Sequence, residues 1–89
     1  MKQKLPTGAR MRVIVKYFAL FKELTGIVQE SIELDYGKTT KDLVGIIMKK
    51  YNLENNVDMT ISLNHEYTKT DVLLNDGDEV AIMTPSSGG

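Results

Sequence analysis

Thr39-Thr40-Lys41-Asp42-Leu43-Val44-Gly45-Ile46-Ile47-Met48-Lys49-Lys50-Tyr51 is the stretch on which the fold turns. Leu43, Ile47 and Tyr51 recur at every fourth position with Val44 and Met48 beside them. That spacing gathers one apolar stripe on a helix and leaves Lys41, Lys49 and Lys50 on the outer side. Thr39 with Asp42 three residues on is a capping-box pattern, so the helix is predicted from about Thr40 to Tyr51, with Asn52 as its stop. Gly45 inside it costs about 1 kcal/mol relative to alanine, and close packing against a sheet is the expected reason for a glycine there.

Working outward, the residues before the helix read as strands. From Arg12 to Ala19, Val13, Val15 and Tyr17 fall on one face and Ile14, Lys16 and Phe18 on the other, the pattern of a central strand. Glu23-Leu24-Thr25-Gly26 reads as a short helical turn closed by glycine. Val28, Ile32 and Leu34 then alternate with Gln29, Ser31 and Glu33, which predicts a second strand with one wet face. Beyond the helix, Met59, Ile61 and Leu63 alternate with Thr60, Ser62 and Asn64, ending at a tight turn around Asn64-His65-Glu66 and a short return strand near Tyr67. Val72-Leu73-Leu74 fills a connection, Asn75-Asp76-Gly77-Asp78 is a turn, and Glu79 to Met83 is the last strand, with Val80 and Ile82 facing inward.

The order β-β-α-β-β-β predicts an α+β fold, a mixed sheet of four or five strands with one main helix packed across one face. This is the ubiquitin-like β-grasp arrangement, in which the first and last strands lie parallel and adjacent. Phe18 and Met83 then sit side by side on the open face, out of phase with the inward residues. Either a partner docks on them or a loop covers them and they join the core. Residues 1–10 read as a flexible N-terminal extension, 11–84 as the domain and 85–89 as an extended C-terminal tail; translation starts at Met1 or at Met11.

Composition narrows the chemistry. The sequence has 89 residues, room for a single domain, with 42% hydrophobic and 26% charged residues, an ordinary balance for a globular protein. No apolar run reaches the roughly 20 residues of a spanning helix and no signal-peptide pattern opens the chain, so a cytoplasmic location is expected. Cysteine is absent, which excludes thiolate metal sites, cysteine nucleophiles and side-chain persulfides. His65 is the single histidine, and an exposed, inert turn residue is its expected role. Asp76, Gly77, Asp78 and Glu79 lack the ligand spacing of a calcium loop. No GxxxxGK[ST] motif is present, so any nucleotide is expected to come with a partner, and no metal or cofactor is expected on this chain.

What remains is the tail, Thr84-Pro85-Ser86-Ser87-Gly88-Gly89. Pro85 has no N–H for a sheet ladder and ends the last strand. The four residues after it span roughly 13 Å when extended, enough to enter another protein's active site. Gly88-Gly89 has no Cβ to obstruct a narrow channel and leaves the terminal carbonyl open to attack. A free α-carboxylate ionises near pH 3.3–3.7 in general and is a poor electrophile at pH 7, so it needs activation by an ATP-using enzyme.

With Glu23-Leu24-Thr25-Gly26, Asp76-Gly77-Asp78-Glu79-Val80-Ala81 and Pro85-Ser86-Ser87-Gly88-Gly89 on one β-β-α-β-β-β frame, the chain resembles the small, sulfur-carrying subunits of molybdopterin synthase from about Met11 to Gly89. The resemblance implies that Gly89 is adenylated by a ubiquitin-activating-type enzyme and converted to a thiocarboxylate, with ATP consumed by that partner. Its sulfur then passes to the pterin precursor of the molybdenum cofactor. It further implies that the chain is a sulfur donor and not a catalyst. The large subunit supplies the pocket that receives Pro85, Ser86, Ser87, Gly88 and Gly89, in a heterotetramer of two small and two large chains, and Phe18 and Met83 serve as apolar contacts. The extension before Met11 lies outside the family pattern. His65 stands where a glycine often follows the asparagine of that hairpin.

Other outcomes use the same activated Gly89: sulfur delivery for thiamine or tRNA thiolation, or amide conjugation to lysines as a ubiquitin-like modifier. A plain adaptor with an irrelevant tail is a third class. From Glu54 onward there are seven acids against Lys69 alone, while the start of the chain is basic, although the net charge is only -1. The acidic half disfavours nucleic acid and suits a basic protein surface; the alternative is a solvated rim that only aids solubility. If it steers docking, association with a protein partner slows as salt rises in stopped-flow measurements, and a salt-independent on-rate makes the charge incidental.

Overall fold

The structure, a computed structural model, describes residues 9–53 and 58–85. Its elements in order are β1 (Arg10–Tyr17), α1 (Leu20–Thr25), β2 (Gln29–Asp35), α2 (Thr40–Lys50), β3 (Thr60–Leu63), β4 (Glu66–Thr68) and β5 (Glu79–Met83). They form a five-stranded sheet in the order β2-β1-β5-β3-β4. This is the mixed sheet expected of a ubiquitin-like β-grasp: β1 pairs antiparallel with β2 and parallel with β5, and β5 pairs antiparallel with β3.

Alternation along β1 aims Met11, Val13, Val15 and Tyr17 at one face, all buried. Registers Val13↔Ile32 and Met11↔Leu34 on one side, and Val15↔Val80 and Tyr17↔Ile82 on the other, bring four more buried side chains to that face. Leu43 and Ile47 of α2, Phe21 of α1 and Leu74 close the core over it. Burying a leucine, isoleucine or phenylalanine is worth roughly 1.5–3 kcal/mol each, so this one layer supplies the main favourable contribution to folding.

Each N–H from Thr39 to Asp42 at the start of α2 has a partner, three of them side chains and one a main-chain carbonyl. Thr39 Oγ1 accepts from the Asp42 N–H at 3.3 Å and Asp42 Oδ2 accepts from the Thr39 N–H at 2.9 Å, the expected capping box. Lys41 N–H donates to Asp71 Oδ1 at 2.9 Å, and Thr40 N–H to the Val72 carbonyl at 2.8 Å. The Lys41 amide, followed by the threonine hydroxyls nearby, holds the Asp71 carboxyl below the usual carboxylate range. At the other end Asn52 adopts φ 54°, the left-handed conformation of a helix stop.

Four expectations change. Arg10 pairs with Asp35 as the first residue of β1, so it belongs to the sheet and not to the N-terminal extension. β1 ends at Tyr17 and not Ala19, because Ala19 turns to φ 51° to start α1, which then covers the full Leu20–Thr25 and buries Phe21. Gly45 has no close neighbour: a Cβ built there meets nothing within 4 Å, since it lies on the outer side of α2 and away from the sheet. Val28 is exposed, because the β1–β2 ladder stops at Lys16↔Gln29 and the inward position next along the strand belongs to Glu30.

Glu30 is a carboxylate at the margin of the core, its side chain 13% exposed. Its Oε2 accepts from the Tyr17 and Tyr51 hydroxyls, each at 2.6 Å, and its Oε1 from Lys50 Nζ at 2.6 Å. The knot ties β1, β2 and the end of α2 together, with the two tyrosine rings edge to face at 6.1 Å. Burial alone would raise the Glu30 pKa; the hydrogen bonds from Lys50, Tyr17 and Tyr51 outweigh it and hold the carboxyl below its ordinary value. Burial, then the bond to Glu30, pushes the Tyr17 phenol well above its ordinary value.

The signs differ for the two groups. The depressed Glu30 stabilises the fold above its unfolded pKa, near 4.3 in general, and this contribution is lost as pH falls through the folded value. The raised Tyr17 stabilises it below about pH 10, and that contribution is lost as pH climbs through the folded value. Glu30→Gln is expected to lose about 1.5–3 kcal/mol at pH 7 and to show a shallower acid slope than the native chain in urea melts. Equal stability at pH 7 with an unchanged acid slope removes the knot from the energetics.

Candidate functional site

β5 carries the chain from the core to its tail, and its placement is set by a turn. Gly77 takes φ 87° between Asp76 and Asp78, a conformation that penalises residues with a Cβ. This aims the Asp76 carboxylate at the Arg12 N–H, 2.8 Å away, while the Gly77 N–H donates to the Arg12 carbonyl at 2.8 Å. Asp78 is buried and accepts from the Asn75 N–H at 2.7 Å and from Asn64 Nδ2 at 3.0 Å. The turn thus locks β5 to β1 and to the β3–β4 hairpin before the strand begins.

That hairpin has two loop residues, Asn64 and His65, with φ of 51° and 73°, the signature of a type I′ turn. Histidine tolerates the position that glycine would take without strain. His65 is exposed, and its Nε2 lies 3.3 Å from Glu79 Oε2. Among the described residues no cluster of three or more His, Cys, Asp or Glu could hold a metal ion, and no helix is long and apolar enough to cross a membrane.

Phe18 and Met83 both lie on the face away from α2. Tyr17 pairs with Ile82, so the next step along the two parallel strands sets Phe18 beside Met83, and the Phe18 N–H donates to the Ile82 carbonyl at 2.9 Å. Phe18 is 46% exposed and Met83 half-buried, so no described loop closes over the phenylalanine. Pro85 is exposed and outside the strand. Ser86, Ser87, Gly88 and Gly89 lie outside the described residues.

One residue of this face was missed by periodicity. Tyr67 pairs across the hairpin with Ser62, and Ser62 with Ala81, which runs a row of open-face residues from Lys16 through Ala81 and Ser62 to Tyr67. Tyr67 is 73% exposed. Its phase relative to Ile61 could have been read from a two-residue hairpin loop, had that loop length been assigned from Asn64-His65.

The ThiS family profile matches residues 15–89. The chain belongs to the ThiS family. The molybdopterin synthase sulfur carrier subunit of Chlamydomonas reinhardtii is 39% identical over 83 residues, which are 89% of this chain and all of that protein. The putative molybdopterin converting factor subunit 1 from Pyrococcus furiosus superposes with a TM-score of 0.76 at 34% identity, covering 85% of this chain and 99% of the other. A complex of subunits 1 and 2 of the molybdopterin-converting factor from Helicobacter pylori contains a chain that superposes with a TM-score of 0.61 at 26% identity, covering 89% of this chain and all of that one. These ThiS-family relatives share the β-grasp frame that sets Phe18, Met83 and the exit of β5 on one edge of the open face.

Proposed function

We propose that this ThiS-family chain is the sulfur carrier subunit of a molybdopterin synthase and holds its sulfur on the α-carboxyl of Gly89. The observation that carries this reading is the match to a curated sulfur carrier over that protein's full length, together with a family match that continues through Gly88 and Gly89. The modifier alternative shares the activation step and differs in the nucleophile, a lysine amine in place of sulfur. The relative named as a sulfur carrier favours the carrier.

The chemistry follows from the carboxylate. In the pocket of a ubiquitin-activating-type enzyme, the Gly89 carboxylate attacks the α-phosphorus of ATP and pyrophosphate leaves. The mixed anhydride is a competent electrophile, and a sulfur nucleophile displaces AMP to leave a thiocarboxylate. The thiocarboxylate sulfur attacks a carbon of the pterin precursor as an oxygen leaving group departs from that carbon, and water then cleaves the acyl–sulfur bond, leaving sulfur on the acceptor and a carboxylate on Gly89. This chain's contribution is delivery: a rigid body for docking and a slim end for threading. ATP belongs to the activating enzyme, and in this proposal the chain works in the cytoplasm.

The large subunit is the proposed partner for the open face, in a heterotetramer whose reaction pocket lies on the large chains. Exposed Phe18 and half-buried Met83 supply apolar surface beside the exit of β5, with exposed Tyr67 two strands away on β4, so docking there would bring Pro85 and the tail to the partner's pocket. Phe18 lies beside Met83, one step past the Tyr17↔Ile82 pair, which ties the proposed docking contact to the origin of the tail.

Two outcomes test this. A chain with one alanine added after Gly89 is expected to fold as the native one does and to take up no sulfur when incubated with activating enzyme, ATP and a sulfur source. The readout is intact mass, looking for replacement of one oxygen by sulfur, and full loading of the extended chain contradicts the mechanism. Met83→Glu is expected to weaken large-subunit binding by at least tenfold in calorimetry while leaving the Tm within a few degrees, because a carboxylate cannot be desolvated in that contact without a partner. Unchanged affinity removes Met83 from the interface.

A further inference from the structure

A second surface lies beside α2 and reaches the open face at Thr60 and Tyr67. A groove of about 810 Å³ runs between α2 and the β3–β4 ribbon, and it continues into a neighbouring hollow of about 640 Å³ through shared residues Lys41, Val44 and Met59. Ile61 joins Val44 and Met59 in the first hollow, and Met48 lines the second. The volume is in the range of ligand-binding clefts, roughly 300–1,000 Å³.

Two independent observations say what could fill it. The first is charge. Lys41, Lys49 and Lys69 line this groove and, like Lys22 and Lys38 elsewhere, have no carboxylate partner among the described residues, so the lining carries three cations. The single acid on the lining, Asp71, already accepts from the Lys41 N–H and Thr40 Oγ1.

The second is Gly45. It lies in the middle of α2 and lines the same groove, yet no described atom would meet a Cβ placed there. A mid-helix glycine lowers helix stability, and no contact among the described residues compensates for it. Its effect is to leave the helix backbone bare on the groove wall, where another chain can come close.

We propose that this groove binds an acidic, extended segment of a partner protein, with apolar side chains seated on Val44, Met59 and Ile61 and carboxylates facing Lys41, Lys49 and Lys69. The eleven residues of α2 span about 16 Å, which an extended segment covers in about five residues. The apolar floor suits side chains and is unsuited to the phosphates of a nucleic acid. Phe18 and Met83 are not on the groove lining, whereas Tyr67 is, so the groove adjoins the proposed docking face at β4.

The test is a titration of the full chain, labelled with nitrogen-15, by the peptide acetyl-Glu-Leu-Asp-Val-Glu-Ile-Asp-Glu-amide, with a lysine-for-acid counterpart as control. Expected are amide shifts centred on Val44, Gly45, Met59, Ile61 and Lys69 with the acidic peptide and none with the basic one. The double variant Lys41→Glu, Lys69→Glu weakens binding at least tenfold. Gly45→Ala provides a separate readout: it raises the Tm yet weakens the peptide at least threefold. No groove shifts at millimolar peptide, shifts confined to the open face, or a Gly45→Ala chain that binds as the native one does each overturn the proposal. Sulfur loading at Gly89 is unaffected by these variants, so failure here is separate from failure of the carrier reading.

Discussion

The parallel pairing of β1 with β5 is the contact on which the rest of the structure depends. It joins residues more than sixty positions apart, Val15 to Val80 and Tyr17 to Ile82, and all four are buried. Closing so long a loop has an entropic cost that rises only slowly with its length, and apolar burial on the α2 side offsets it. Without this pair the sheet falls into a two-stranded ribbon, β1–β2, and a three-stranded one, β5–β3–β4, with the core-facing residues divided between them. With it, the last strand becomes a rigid launching point for the tail, and Phe18 comes to rest beside Met83.

Because side chains alternate, that one pairing assigns different tasks to the two faces. Val80 and Ile82 go to the core, while Ala81 and Met83 go to the open side. A one-residue slip would exchange them, exposing Val80 and Ile82 and burying Met83. The slip is opposed by the turn before β5, where Asp76 and Gly77 bond both main-chain groups of Arg12 and Asp78 bonds Asn64. Register, the placement of Phe18 beside Met83 and the exit of β5 therefore share one local determinant.

The margins of the core are polar by design of the side chains that meet there. Glu30 occupies an inward strand position, an arrangement that is unfavourable for an unpaired carboxylate, and Tyr17, Tyr51 and Lys50 satisfy it. Gly45 is the converse case, a helix position where stability is lost with no contact among the described residues to compensate. A carboxylate that is satisfied internally reads as structure. A glycine that is not reads as surface kept open for something else.

Local pattern was enough for much of this. The capping box at Thr39 and Asp42, the stripe of Leu43 and Ile47, the alternation of Val80 and Ile82 and the turn at Gly77 were legible because each depends on neighbours within a few residues, where propensity and periodicity act. The tail chemistry proposed for Gly89 likewise rests on local sequence, since it needs only glycines and a carboxylate. What required tertiary structure involves partners distant in sequence: the Glu30 knot, drawn from β1, β2 and the end of α2; Tyr67 on the open face through two successive registers; the open side of Gly45; and Val28 left outside a ladder that ends one residue short of it. Periodicity says which side chains share a face. Only the folded chain decides which neighbours cover that face and where the cover stops.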